Sequence, residues 1–189
     1  VERDDAIAIM DDHASAVAAF ERLLAGVAPD RLEAATPCPE WDVRALIDHV
    51  AGLHRNAASA AGEPVTPNAT ETETDPIRAF AAAAAAAQAA LRRPDALARS
   101  YQMPWGAIPG ALLVRLLLAD TVIHTWDLAR ATDQDTGVDP ALCESVLTWG
   151  RTMMRPEFRT PQAGFGPEVA VPANTAACDR LAAFYGRQP

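Results

Sequence analysis

Three ionisable residues stand out in the segment LLVRLLLADTVIHTWDLARA: Asp120, His124 and Asp127. Their spacing of i, i+4 and i+7 stacks them on one face of a helix, with Leu113, Leu116 and Leu117 one turn earlier on that face. Burying an isolated carboxylate or imidazolium among such neighbours costs several kcal/mol, so these groups need partners. A carboxylate and a histidine one turn apart can aim an oxygen and a ring nitrogen at one ion, at about 2.0–2.2 Å from each. In helical bundles such sites are completed from a facing helix. The pattern alone leaves two readings open: a metal site and a hydrogen-bonded core network. In the first, Asp127 orients a ligand or acts as a base. In the second it forms a salt bridge to Arg130 or to another arginine of the bundle.

The other histidines are His13, His49 and His54. His49 flanks a helical stripe of Leu46, Ile47, Val50 and Leu53, about two turns after a helix-capping Asp42. His13 falls on the stripe of Met10, Val17 and Phe20 and reads as a core histidine. His54 reads as a helix-surface residue pointing to another side. Cys38 precedes a helix N-terminus, which favours a thiolate, although a packed and inert thiol is the plainer expectation. Trp41, Trp105 and Trp126 are candidates for core or pocket wall.

The elements that must position these residues are mostly helical, because apolar residues recur at helical period and β-branched runs are scarce. The periodicity predicts main helices near residues 4–26, 41–61, 75–92 and 109–131. A fifth helix follows to about Met154 after Asp139-Pro140, and a short one lies near Thr175 to Tyr185. Ala81 to Ala87 are seven consecutive alanines, a strong helix former that also permits close packing. The helix near 109–131 is apolar nearly all round and is expected at the centre. Residues 62–76 read as a long acidic loop, Ser100 to Trp105 as a short extended crossing, and residues 155–189 as a wrap around the bundle. The whole chain, 1–189, reads as one domain.

The 189 residues carry sixteen arginines, no lysine and twenty-five acidic residues, for a net charge of -9. That balance disfavours nucleic acid and anionic membrane as partners, and the missing lysine excludes Schiff-base and P-loop chemistry. The longest apolar run is interrupted by Arg115 and is too short for a membrane span. Cys38, Cys143 and Cys178 form no CxxC pair. Their odd number and wide spacing fit a reducing cytoplasm better than a disulfide scaffold. The acidic N-terminus does not read as a signal peptide.

TPCPEWDVRALIDHVAGLH resembles the T-x-C-x-x-W-x-V-x-x-L-x-x-H segment of the mycothiol-dependent maleylpyruvate isomerase N-terminal family, part of the DinB/YfiT-like superfamily of metal-binding four-helix bundles. ADTVIHTWDLARAT resembles its second signature, acidic-x-x-x-His-x-W-D-L-A, and the closing RLAAFYGRQP is similar to the end of a single-domain branch. The resemblance implies an all-α, DinB-like four-helix bundle with additional C-terminal helices. It implies His49, Asp120 and His124 as metal ligands. Such a donor set suits zinc best, with nickel or ferrous iron as alternatives, and leaves coordination positions open. It implies a low-molecular-weight thiol such as mycothiol, activated by the metal to attack a small electrophile, while Asp127 is the catalytic candidate by its place one turn beyond His124 on the same face. The isomerase has Glu where this chain has Asp120, and a C-terminal domain for which 189 residues leave no room. The expected activity is therefore a metal- and thiol-dependent transferase or isomerase acting on another small substrate. A metal-containing binding protein without turnover is the alternative, and a homodimer is among the expected assemblies.

Overall fold

Aspartates open three of the helices. In the computed structural model, which describes residues 3–39, 41–63, 75–160 and 164–189, Asp42 Oδ1 accepts from the Ala45 amide at 2.8 Å and starts α2, Val43–Ala60. Asp75 caps α3, Pro76–Leu91, through Ile77 N at 3.0 Å. Asp139 caps α5, Pro140–Met153, through Ala141 N at 2.8 Å. Each such cap satisfies an otherwise orphaned amide and is worth about 1 kcal/mol. The remaining helices are α1, Arg3–Ala25, α4, Gly110–Thr132, and α6, Ala177–Phe184. The helical boundaries follow the apolar periodicity to within a few residues.

A hairpin of β1, Ser100–Met103, and β2, Gly106–Pro109, replaces the single extended crossing expected there. Its strands are antiparallel, pairing Tyr101 with Ile108. It delivers the chain into α4, whose first residue donates its amide to Arg99 O at 2.7 Å in place of a side-chain cap. Glycine is required there: a Cβ on Gly110 would collide with the Ala96 carbonyl. Most of the acidic loop expected at 62–76, residues 64–74, lies outside the described residues.

The fold is mostly helical, with this hairpin as its small sheet. In the bundle α2 packs mainly on α3, and α1 on α4. Phe20, Leu24, Leu46, Ile47, Val50 and Phe80 form one apolar cluster with Leu128 of α4. A second cluster joins Leu113, Leu117 and Val122 of α4 to Tyr101, Val146, Leu181 and Phe184. Thus α4 is buried over most of its length, as its unbroken apolarity predicts. No helix among the described residues is long and apolar enough to cross a membrane.

The C-terminal segment packs on this frame through α5 and α6, and Cys143 and Cys178 join those two helices in a disulfide. This corrects the expectation of unpaired cysteines. Thirty-five residues separate the two, so pairing is visible only once α5 and α6 are seen side by side. Cys38 is the free cysteine.

Candidate metal centre

The fourth helix brings Asp120, His124 and Asp127 onto one face, and α2 supplies His49 opposite them. His49 Nε2 lies 3.1 Å from Asp120 Oδ1, and His124 Nε2 lies 3.5 Å from the same oxygen. Ligand atoms of His49, Asp120 and His124 all fall within 4.8 Å of one another. The Asp120 and His124 side chains are 13% and 3% exposed, whereas His49 is 36% exposed, so the cluster opens to solvent on its α2 side. Trp41 forms a wall: its ring lies 4.4 Å from that of His49 and 5.4 Å from that of His124. The Thr36–Trp41 turn holds the wall in place, with Thr36 Oγ1 donating to Trp41 O at 2.8 Å and accepting from Cys38 N at 3.1 Å.

Asp127 lies behind His124, fully buried. His124 Nδ1 is 2.9 Å from Asp127 Oδ2. Its ion-pair partner is Arg187, from the far end of the chain: Nε reaches Oδ1 at 3.1 Å and Nη2 reaches Oδ2 at 2.8 Å. Arg130, the nearest arginine in sequence, pairs instead with Asp179. Cys38 Sγ completes the group, 3.2 Å from Asp127 Oδ2 and 3.1 Å from Arg187 Nη2. Cys38, His124 and Asp127 thus form a second set of donor atoms on the other edge of the same ring. Sequence reasoning missed Arg187, and nothing local marks it among sixteen arginines.

The electrostatics alternate in sign along this line. Burial opposes charge on Asp120, but the His124 and His49 rings hold its carboxyl well below the usual carboxylate range. Burial likewise opposes charge on His124, yet Asp120, helped by hydrogen bonds to Asp127 and Cys38, pushes its pKa well above the ordinary value. Asp127 is desolvated too. Hydrogen bonds from His124 and Arg187, and the charge of Arg187, bring it down to about 2. The network therefore runs carboxylate, imidazolium, carboxylate, guanidinium. One atom stands outside it. Asp120 Oδ2 is buried and has no hydrogen-bond partner among the described residues. A carboxylate with two imidazole nitrogens on one oxygen and its other oxygen unpaired is a donor set that a divalent cation fits.

The remaining histidines form a separate pair. His13 lies in the core as expected, but His54 is also wholly buried, which corrects its reading as a surface residue. Its position four residues after Val50 and seven after Ile47 places it on the buried stripe of α2. His54 Nδ1 donates to Val50 O at 2.8 Å, so its Nε2 accepts from His13 Nε2, 3.1 Å away. Both rings are held neutral: burial first, then the adjacent His54 ring and the charge of Arg92, push His13 down to about 3, and burial lowers His54. Trp126 is buried with its Nε1 donating to Asp179, whereas Trp105 is exposed at the hairpin turn and walls nothing.

Comparison with known proteins places these residues in a family. The mycothiol maleylpyruvate isomerase N-terminal domain matches residues 13–129, a span that includes His49, Asp120, His124 and Asp127 but not Arg187. Two uncharacterised proteins of Mycobacterium tuberculosis, one from strain CDC 1551 / Oshkosh and one from strain H37Rv, are each 37% identical over 175 residues, 93% of this chain and 95% of theirs. No solved structure matches. The fold, both signature segments and the matched span agree: the chain belongs to the mycothiol maleylpyruvate isomerase N-terminal domain family, with a helical bundle of the DinB-like kind.

Proposed function

We propose that His49, Asp120 and His124 bind a divalent metal, zinc by ligand type, and that the protein is a thiol-dependent transferase or isomerase acting on a small electrophile. The observation that carries this reading is the convergence of two imidazole nitrogens on Asp120 Oδ1, while the same carboxylate's Oδ2 is buried without a hydrogen-bond partner among the described residues. Two neutral imidazoles and one carboxylate leave a bound ion with net positive charge, which would keep the sulfur of a bound thiol in its thiolate form at neutral pH. The thiol-linked family supports mycothiol or a similar low-molecular-weight thiol as that partner. His49 is the ligand nearest solvent, so a small molecule would enter along the Trp41 wall. Asp127 is sealed behind His124 with both oxygens engaged. It acts by orienting His124, and it is not placed to take a proton from a substrate.

Metal content per chain, measured by elemental analysis after purification without added metal, tests the ligand set. The wild type should carry a single ion, and Asp120→Asn and His124→Ala should lose it. A thiol-to-metal charge-transfer band in the cobalt-substituted protein, on titration with a low-molecular-weight thiol, tests the thiol role. A metal-free wild type, or an Asp120→Asn variant that retains full occupancy, refutes the site; a metal-loaded protein blind to every thiol refutes the chemistry.

A further inference from the structure

Arg187 lies sixty residues beyond Asp127, outside the span the family match covers, yet its guanidinium occupies the interior of the site. Its hydrogen bonds form a closed set. Nε donates to Asp127 Oδ1, and Nη2 donates to Asp127 Oδ2 and to Cys38 Sγ. Nη1 donates to the backbone carbonyls of Gly164, at 2.7 Å, and Tyr185, at 3.1 Å. Every N–H of a guanidinium is thereby matched to an acceptor. Arg187 is only 4% exposed, and arginines are seldom buried so far unless they are paired. The backbone is shaped to deliver it. Gly186 has φ of 91° and packs so closely on the Gly166 backbone that a Cβ there would overlap it.

The donor and acceptor logic then runs inward. A guanidinium only donates, so both Asp127 oxygens accept from it. Asp127 Oδ2 must also accept from His124, whose Nδ1 therefore carries the hydrogen. That leaves Nε2 as the nitrogen facing Asp120 and His49. Cys38 sits in the same cage, its sulfur accepting from Nη2 and its S–H directed at Asp127 Oδ2.

We infer that Arg187 is a positioning residue of the metal centre: as a resident cation it locks Asp127, and through Asp127 it fixes the His124 ring and tautomer in the form that ligates through Nε2. The inference rests on the metal reading above and adds the C-terminal segment to the site. Removing a partner of this kind behind a ligating histidine typically weakens metal affinity by about 10- to 100-fold. Lysine is no substitute, because a point ammonium cannot meet two carboxylate oxygens, a sulfur and two carbonyls at once.

The test uses the full chain and two readouts independent of turnover: zinc affinity by competition with a chromophoric chelator, and the visible absorption of the cobalt(II) form. Arg187→Met should bind zinc about 10- to 100-fold more weakly, with an altered cobalt spectrum. Arg187→Lys should remain at least about 10-fold weak. Guanidinium ion at sub-denaturing concentration should restore affinity and spectrum to Arg187→Ala, but leave the wild type unchanged. Wild-type affinity and spectrum in Arg187→Met, with only a lower thermal midpoint, overturn the inference and leave Arg187 a structural clamp. Should Arg187→Met fail to fold, wild-type affinity in Arg187→Lys overturns it equally. If the wild type itself binds no metal, the site reading falls and takes this inference with it; metal in the wild type and indifference to Arg187 sinks the inference alone.

Discussion

His124 meets two opposed sets of neighbours through its two nitrogens. Nδ1 faces the Asp127–Arg187–Cys38 cage, and Nε2 faces Asp120 and His49. In the ion-free protein both nitrogens carry hydrogens, and a metal would replace the one on Nε2. Binding should therefore release a proton and strengthen as pH rises. His124→Ala would leave Asp120 with His49 as its side-chain partner among the described residues and open a hole beside Asp127. It should destabilise the metal-free protein by about 3 kcal/mol, read from urea unfolding. The other buried rings act in the opposite sense. His13 and His54 refuse protons when folded and accept them near pH 6.5 when unfolded. Below that pH each takes away about 1.4 kcal/mol of stability per pH unit, until its folded-state pKa is reached. Above pH 6.5 the native state keeps a His124 proton that the unfolded chain releases, so this contribution is lost as pH rises through the folded value. Asp120 and Asp127, held below their usual range, lose their contribution only below about pH 4. The metal-free protein should thus be most stable near pH 6.5. His13→Leu should flatten the acid limb by about one proton. A profile level from pH 5 to 8 would contradict both assignments.

At the scale of elements, the helices were legible because their stripes and caps are local. Asp42, Asp75 and Asp139 mark three starts, and the apolar surface of α4 announces its burial. The polar face of α4 was equally legible, since i, i+4 and i+7 spacing is itself a geometric statement. His49 needed a facing helix, and the signature segment supplied it. What stayed hidden is nonlocal. β2 is four residues long and alternates only weakly, and the Cys143–Cys178 bridge and Arg187–Asp127 pair join segments that no periodicity links. The bridge ties α6 to α5 just before the chain turns to deliver Arg187, so it restrains the segment that closes the cage. Reducing it should lower stability by about 3 kcal/mol. For a chain of this size that is about 6–12 °C in thermal midpoint, measurable by calorimetry with and without reductant. An unchanged midpoint would show that the two helices hold their places without the bond.

Over the whole molecule, the candidate centre draws on four distant stretches: the Thr36–Trp41 turn, α2 at His49, α4 at Asp120 to Asp127, and the tail at Arg187. Any ion that joins His49 to Asp120 and His124 therefore cross-links α2 to α4, the two helices that carry its ligands. It binds the folded chain and finds no preformed site in the unfolded one, so its binding free energy adds directly to stability. Zinc at 100 times its dissociation constant should contribute about 2.7 kcal/mol. In thermal midpoint that is about 5–11 °C above chelator-treated protein. The net charge of -9 would attract cations to the surface without any site, and this weaker effect must be separated from the specific one. Asp120→Asn separates them, because it removes the anionic ligand and changes the surface charge by a single unit. The wild type should show the full shift at stoichiometric zinc and the variant almost none. Magnesium, which prefers oxygen ligands, should shift neither. An equal zinc shift in wild type and Asp120→Asn would assign the stabilisation to diffuse charge and remove the case for a metal centre between α2 and α4.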